Sequence, residues 1–271
     1  MRTSIELMQA AYDQIVDDYD RRSTYLRAPQ RRLTAALRLA PGMRCADLGC
    51  GTGLETVDML QRVAPGEVVG VDCSTGMLEA AERRAREAGL SLTTSCLGAD
   101  EFIAAAPPSS FDIVTLRFCV GYLDWRHTLP TLPRLLAPRG RIGLLANLAD
   151  SAHQAYATYR EMIADLGLPE VPVTAPPSLV SLESCLRAGG SAIEESWTHR
   201  FRLWFASGAE MASWLRESGL ATHPTLQELP SALAQALWQQ FAARIERLRE
   251  PEGLPLDLSF AGLVARSDSA Q

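Results

Sequence analysis

The residues of this chain best suited to chemistry are Asp47, Gly49, Gly51, Gly53 and Asp72: a carboxylate closing one apolar run, three alternating glycines, and a second carboxylate closing the next run. Glycine at every other position lets the chain turn tightly and keeps side chains off a surface that a ligand must touch. A helix is predicted from Leu54 to Arg62, so unpaired amide hydrogens and the positive end of a dipole point at the loop. The stretch reads as a nucleoside-cofactor site. Its spacing is G-x-G-x-G, which meets neither the dinucleotide fingerprint nor the phosphate loop. The phosphate loop also needs a lysine, and all 26 basic residues here are arginine. Asp72 ends the short strand Glu67 to Asp72, the place from which an acid on the second strand of a doubly wound sheet holds ribose hydroxyls. Asp47 would repel an anion on the loop and suits a cation.

Elements must hold these groups in place. Met43 to Leu48 is predicted to be a buried strand, preceded by amphipathic helices over Ile5 to Tyr19 and Pro29 to Leu39. After Asp150 the pattern predicts a helix to Leu166, a proline-rich loop from Pro169 to Pro177, and a helix from Leu179 to Ala188. A strand from Ala192 to Phe205, helices over Gly208 to Glu217 and Ser231 to Arg249, and a last strand around Leu258 to Arg266 follow. With 271 residues the chain can bury a substantial core, and strands alternating with helices argue for one α/β domain with insertions. We divide it into a helical N-terminal cap (1–40), a cofactor-binding core (41–150) and a segment of cap insertion, substrate wall and last strands (151–271).

Composition narrows the function. A net charge of -6 argues against nucleic acid or anionic membrane as a partner, because both need a basic surface. Without lysine, Schiff-base and ammonium chemistry are excluded. The six cysteines, Cys45, Cys50, Cys73, Cys96, Cys119 and Cys185, form no Cys-x-x-Cys pair and read as reduced thiols of a cytoplasmic protein. The start lacks an apolar signal core, no apolar run has the length of a membrane span, and no His/Cys cluster suggests a metal.

Asp47-Leu-Gly-Cys-Gly-Thr-Gly53 followed by Val71-Asp72-Cys-Ser-Thr-Gly-Met77 resembles, in order and distance, the first two motifs of the class I methyltransferases that use S-adenosylmethionine. Ser110-Phe-Asp112-Ile-Val-Thr-Leu116 looks like that family's fourth strand, and Leu135 to Leu145 like its following helix, turn and fifth strand, with Pro138-Arg139-Gly140 replacing the usual Pro-Gly-Gly. The resemblance spans about Tyr12 to Asn147 and fades beyond. It implies a Rossmann-like doubly wound sheet of about seven strands, with N-terminal and inserted helices as a cap. It also implies S-adenosylmethionine as cofactor and S-adenosylhomocysteine as product. The donor-site residues carried over are Tyr19, Asp47, Gly49, Cys50, Gly51, Asp72, Cys73, Met77, Asp100, Arg117 and Phe118, with Glu101 in place of Asp100 in the neighbouring register. Tyr19 either lies over the methionine end of the donor or over the substrate, or simply packs its helix onto the core.

A sulfonium is already an activated leaving group, so the protein mainly has to align acceptor, methyl and sulfur and to exclude water. A hydroxyl acceptor gains from a base, whereas a carboxylate or a phenolate needs none. His153, just after the fifth strand, is the first candidate base and His199 the second; His127 and His223 read as surface or capping residues. Tyr122, Tyr156 and Trp204 are the candidate acceptor contacts. Arg117 either meets an acidic acceptor or pairs with Asp124 or another carboxylate. The expectation is methyl transfer to an oxygen, hydroxyl or carboxylate, of a small molecule in specialised-metabolite biosynthesis, by a monomer or homodimer. Nitrogen or carbon methylation, and a cyclase that keeps the cofactor without methyl transfer, are the alternatives.

Overall fold

The computed structural model describes residues 4–167, 174–218 and 229–267. Its strands are β1 (Arg44–Leu48), β2 (Glu67–Asp72), β3 (Thr93–Cys96), β4 (Phe111–Arg117), β5 (Leu136–Asn147), β6 (Ser191–Phe205) and β7 (Leu254–Ser267). The helices are α1 (Ser4–Asp13), α2 (Val16–Arg22), α3 (Arg27–Ala36), α4 (Leu54–Val63), α5 (Thr75–Glu87), α6 (Ala99–Ala105), α7 (Trp125–Thr128), α8 (His153–Asp165), α9 (Leu179–Ala188), α10 (Gly208–Glu217) and α11 (Ser231–Ile245). The strands form one seven-stranded sheet in the order β3-β2-β1-β4-β5-β7-β6. β1 to β5 pair in parallel, and β7 runs antiparallel to β5. This is the α/β, Rossmann-like doubly wound sheet expected from the motifs.

That order places a topological switch between β1 and β4. The chain leaves β1 toward β2 and β3, then returns to the other side of β1, so the connections diverge and leave a crevice beyond the strand ends. β1 and β4 are in register there, Leu48 beside Leu116, and β2 brings Val71 beside Leu48. Alternation along β4 separates two cores. Val114 and Leu116 join the packing with Trp125, Leu129 and Leu182, while Ile113 joins Leu33, Leu37, Met59 and Leu145. Thr115 and Arg117 share the face of Ile113, so a polar pair caps that core at the crevice end.

Two compact units divide the chain. One is drawn from Met1–Ser23, Asp150–Val173 and Arg200–Ser259, the other from Thr24–Ala149, Thr174–His199 and Phe260–Gln271. The second contains β1 to β5 and the adjoining parts of β6 and β7. In the first, α11 packs on both α8 and α10. Gly208 permits the second approach, because a Cβ there would stand 2.1 Å from the carbonyl oxygen of Ala242.

Several predicted boundaries shift: α3, expected over Pro29 to Leu39, runs from Arg27 to Ala36, and α8, expected from Asp150 to Leu166, runs from His153 to Asp165. The expected helix from Ile5 to Tyr19 breaks at Gln14 and Ile15 into α1 and α2. Asp17 and Asp18 thereby occupy the first turn of a new helix, where the dipole favours acids, rather than the end of an old one. The helix expected to reach Arg249 ends at Ile245 and tightens into a 3-10 turn over Glu246–Leu248. β7 starts earlier than expected despite Pro255, which is tolerated because the ladder with β5 begins only at Phe260.

Candidate active site

The glycine loop leaves β1 and is bound to the end of β2. The amides of Gly49 and Cys50 both donate to the carbonyl of Val71, at 2.8 and 2.9 Å. The Gly51 amide donates to Asp72 Oδ2 at 2.9 Å, and the Ser74 amide donates to Asp72 Oδ1 at 2.9 Å. Two backbone donors thus fix the Asp72 carboxylate at the mouth of the crevice. Ser74 caps α5 by accepting from the Met77 amide at 3.0 Å, and Arg84 of α5 donates to the Thr52 carbonyl at 3.0 Å. Gly49 and Gly53 have φ of +74 and +76. A Cβ on Gly49 would stand 2.8 Å from Cys119 Cβ, and one on Gly53 would stand 2.6 Å from Ala81 Cβ. These two glycines let the loop lie against the end of β4 and against α5.

Beneath the loop lies a buried ionic cluster. Asp47, 2% exposed, accepts from Thr115 Oγ1 at 2.6 Å and Thr56 Oγ1 at 2.7 Å, and Arg117 Nη1 stands 3.7 Å from its Oδ2. Arg117 Nη2 reaches Thr34 Oγ1 at 3.5 Å and Met59 Sδ at 3.1 Å, while its Nε and Nη1 lack hydrogen-bond partners. Glu55 of α4 accepts from Thr34 at 3.4 Å; burial lifts its carboxyl above the usual range, with Arg117 acting against that shift. This corrects one expectation and decides between two others: Asp47 meets the protein's own cation instead of presenting its charge to a ligand, and Arg117 pairs with another carboxylate, Asp47, as one of its two readings had it.

The thiols around the loop are held neutral. Burial first, then the charges of Asp72 and Asp47, push Cys119 up to about 12 and Cys50 well above 9.0. A thiolate beside a sulfonium would be methylated itself, so neutral thiols protect the site.

Cys73 is half-buried, with Cys96 Sγ 3.7 Å from its carbonyl. Met77 is 1% exposed and belongs to the core of α5. Asp100 accepts from Thr128 Oγ1 at 2.6 Å, and Glu101 accepts from the Gly98 amide at 3.0 Å, closing the first turn of α6. Tyr122 ends a 3-10 turn after β4. Phe118 has a left-handed backbone, φ +60, which costs about 1–2 kcal/mol for a non-glycine residue, and its amide donates to the Leu145 carbonyl at 2.8 Å. Its ring meets Phe260 edge-on at 5.1 Å, and His199 stacks on the same Phe260 at 6.5 Å. His153, Tyr156, Trp204 and Tyr19 lie in the other unit. There His153 is exposed on the first turn of α8, Tyr19 meets Tyr12 edge-on at 6.2 Å, and Trp204 is 43% exposed under the guanidinium of Arg202. His223 and the loop from residue 168 to 173 lie outside the described residues.

Comparison with known proteins bears on this crevice. Residues 45–140, from β1 to the turn within β5, match a family model described as a methyltransferase domain. The chain is 30% identical to trans-aconitate 2-methyltransferase of Methylobacterium nodulans over 227 residues, 80% of this chain and 81% of that protein. The chain belongs to the class I S-adenosylmethionine-dependent methyltransferases. It is also 28% identical to nocamycin O-methyltransferase of Saccharothrix syringae over 235 residues, 80% of this chain and 84% of that one. Its fold matches a cyclopropane synthase from Mycobacterium tuberculosis with a TM-score of 0.63 at 15% identity, covering 98% of this chain and 99% of that one.

S-adenosylmethionine is therefore the cofactor of this methyltransferase, and the site's chemistry fits it. The loop is flanked by the carboxylate of Asp72, which accepts from the Gly51 and Ser74 amides, and beneath the loop Arg117 pairs with Asp47. Among the described residues, no group of His, Cys, Asp or Glu is arranged to hold a metal, and no helix is long and apolar enough to cross a membrane. The motifs did not reveal Phe260, Tyr25 or the threonines that hold Asp47. Only the cap at Ser74 carried a local signal, a serine immediately before a helix.

Proposed function

We propose that this methyltransferase transfers the methyl group to an oxygen of a small molecule in specialised-metabolite biosynthesis, acting in the cytoplasm as a single catalytic domain, monomeric or homodimeric, with His199 as the base. The observation that carries this reading is the placement of His199. Its imidazole stacks on Phe260, which is level with Asn147 at the crevice end of β5, in the same compact unit as the glycine loop. His153, the other candidate, is exposed on the first turn of α8. The likeness to nocamycin O-methyltransferase over most of both chains supports oxygen as the acceptor atom.

Bound S-adenosylmethionine supplies an electrophilic methyl group and a neutral leaving group. What remains for the protein is to hold the ribose through Asp72, keep nearby thiols protonated, and relieve the acceptor of its proton. The test is incubation with S-adenosylmethionine carrying a 13C methyl group and a panel of phenols, alcohols, carboxylates and amines. Carbon NMR then assigns the labelled methyl to oxygen, nitrogen or carbon. Oxygen-bound label supports the reading, and label only on nitrogen or carbon overturns it. His199→Gln should lower kcat on a hydroxyl acceptor about 100-fold or more, whereas a carboxylate acceptor would be unaffected.

A further inference from the structure

One buried ring, Phe260, organises an aromatic cluster at the crevice end of the sheet. Phe260 is 1% exposed. Three half-buried rings surround it: Phe118 edge-on at 5.1 Å, Tyr25 tilted at 6.2 Å, and His199 stacked at 6.5 Å with 23° between the planes. With Phe260 the four rings come from four separate segments: Phe118 after β4, Tyr25 before α3, His199 from β6 and Phe260 from β7. Phe118 is unusual among them for its left-handed backbone. A residue that only filled a core would not need that conformation, and such strain is concentrated where a side chain must be aimed. The next residue, Cys119, packs against Gly49 so closely that no Cβ fits between them. Phe118 is therefore one residue from the contact between the end of β4 and the donor loop.

We propose that Phe118 and His199, backed by Phe260 and flanked by Tyr25, seat the acceptor, and that this acceptor is a planar conjugated molecule bearing an ionisable hydroxyl, a phenol or an enol. Aromatic faces and edges favour flat π systems over saturated skeletons of equal size. An imidazole among those rings is placed to take the hydroxyl proton as the oxygen attacks the methyl group, the C–O bond forming as the methyl–sulfur bond breaks. A saturated carboxylate would use neither the rings nor the base. This deepens the oxygen reading and rests on it for the role of His199, but not for the seat itself.

The test uses protein saturated with S-adenosylhomocysteine and titrated calorimetrically with 2-naphthol and with its saturated counterpart decahydro-2-naphthol. 2-Naphthol should bind about tenfold tighter than the saturated alcohol, as expected for a stacking contribution at the upper end of the usual range. Phe118→Gly removes the ring and relieves the left-handed strain, so it should fold. It should weaken 2-naphthol about tenfold while the affinity for S-adenosylhomocysteine stays within about twofold. Phe118→Leu, which keeps apolar bulk, should lose the preference between the two alcohols. Absence of 2-naphthol binding, equal binding of the two alcohols, or an unchanged affinity in Phe118→Gly overturns the proposal. So does a parallel loss of S-adenosylhomocysteine affinity, which would make Phe118 a donor-site residue. Labelled methyl on nitrogen or carbon with the Phe118 dependence intact would sink the oxygen reading and leave the seat standing.

Discussion

Gly53→Ala separates two costs that the donor loop imposes on its sequence. Gly53 has φ +76, and an added Cβ would lie 2.6 Å from Ala81 Cβ and 2.8 Å from Ala81 Cα. Ordinary carbon contacts sit at about 3.5–4.0 Å, so the overlap is close to 1 Å and involves helix backbone. The left-handed backbone should cost about 1–2 kcal/mol for alanine, and the forced displacement of α5 about 1–3 kcal/mol more. The sum, about 2–5 kcal/mol, is a large part of the stability of a typical domain. Gly42→Ala is the control. Gly42 has φ +86 with nothing within 4 Å of its Cβ position, so it carries the backbone cost alone. Urea denaturation of both variants should show unchanged slopes and a midpoint difference equivalent to about 1–3 kcal/mol. Adding Ala81→Gly to Gly53→Ala should recover part of the loss as a favourable coupling of at least about 0.5 kcal/mol. The Gly53 amide donates to the Cys50 carbonyl at 3.1 Å, so the displacement should reach the loop and weaken S-adenosylmethionine binding as well. If Gly53→Ala is no less stable than Gly42→Ala, the close packing of loop on α5 is wrong.

Four further outcomes follow from the same geometry. Asp72→Ala should weaken S-adenosylhomocysteine binding by about 1.5–3 kcal/mol in calorimetry, and an unchanged affinity would remove Asp72 from the ribose. Arg117→Met strands the buried Asp47 charge and should cost about 3–5 kcal/mol in urea, with the double variant Asp47→Asn/Arg117→Met less destabilised than that single change. At pH 8, iodoacetamide should label the exposed Cys96 and spare Cys45 and Cys119, both pushed up to about 12, until the protein unfolds; peptide mass spectrometry reads the order. Hydrogen bonds from Arg202 hold the Asp257 carboxyl below 3.8, so the stabilisation from this pair is present above the unfolded carboxyl's pKa and is lost as pH falls through the lower folded value. With side chains 40% and 58% exposed, Asp257→Asn should cost only about 0.2–1 kcal/mol at neutral pH and nothing in strong acid.

Much of the donor half was legible because its signals are local. Gly49, Gly51 and Gly53 follow an apolar run directly, Asp72 closes the next, and each pattern acts within a single strand and turn. Leu179–Ala188 and Gly208–Glu217 are likewise predicted to their ends, each starting after a serine cap and the first stopping at Gly189. The break at Ile15 was not read, because apolar periodicity continues across it while the acids at Asp17 and Asp18 decide where a helix restarts.

The acceptor half was hardly legible. Trp204, Tyr156 and His153 were marked by residue type and chain position alone, and no local pattern along the chain says what such side chains will meet. Local order along the chain dictates a glycine loop between two acids on an α/β sheet, and hence the donor, because turns, caps and strand ends are set by neighbouring residues. Tertiary structure alone decided that Asp47 would spend its charge on Arg117 and Thr115, and that Tyr25, Phe118, His199 and Phe260 would meet. Those partners are separated by tens to hundreds of residues, and only strand order and register bring them to one end of the sheet.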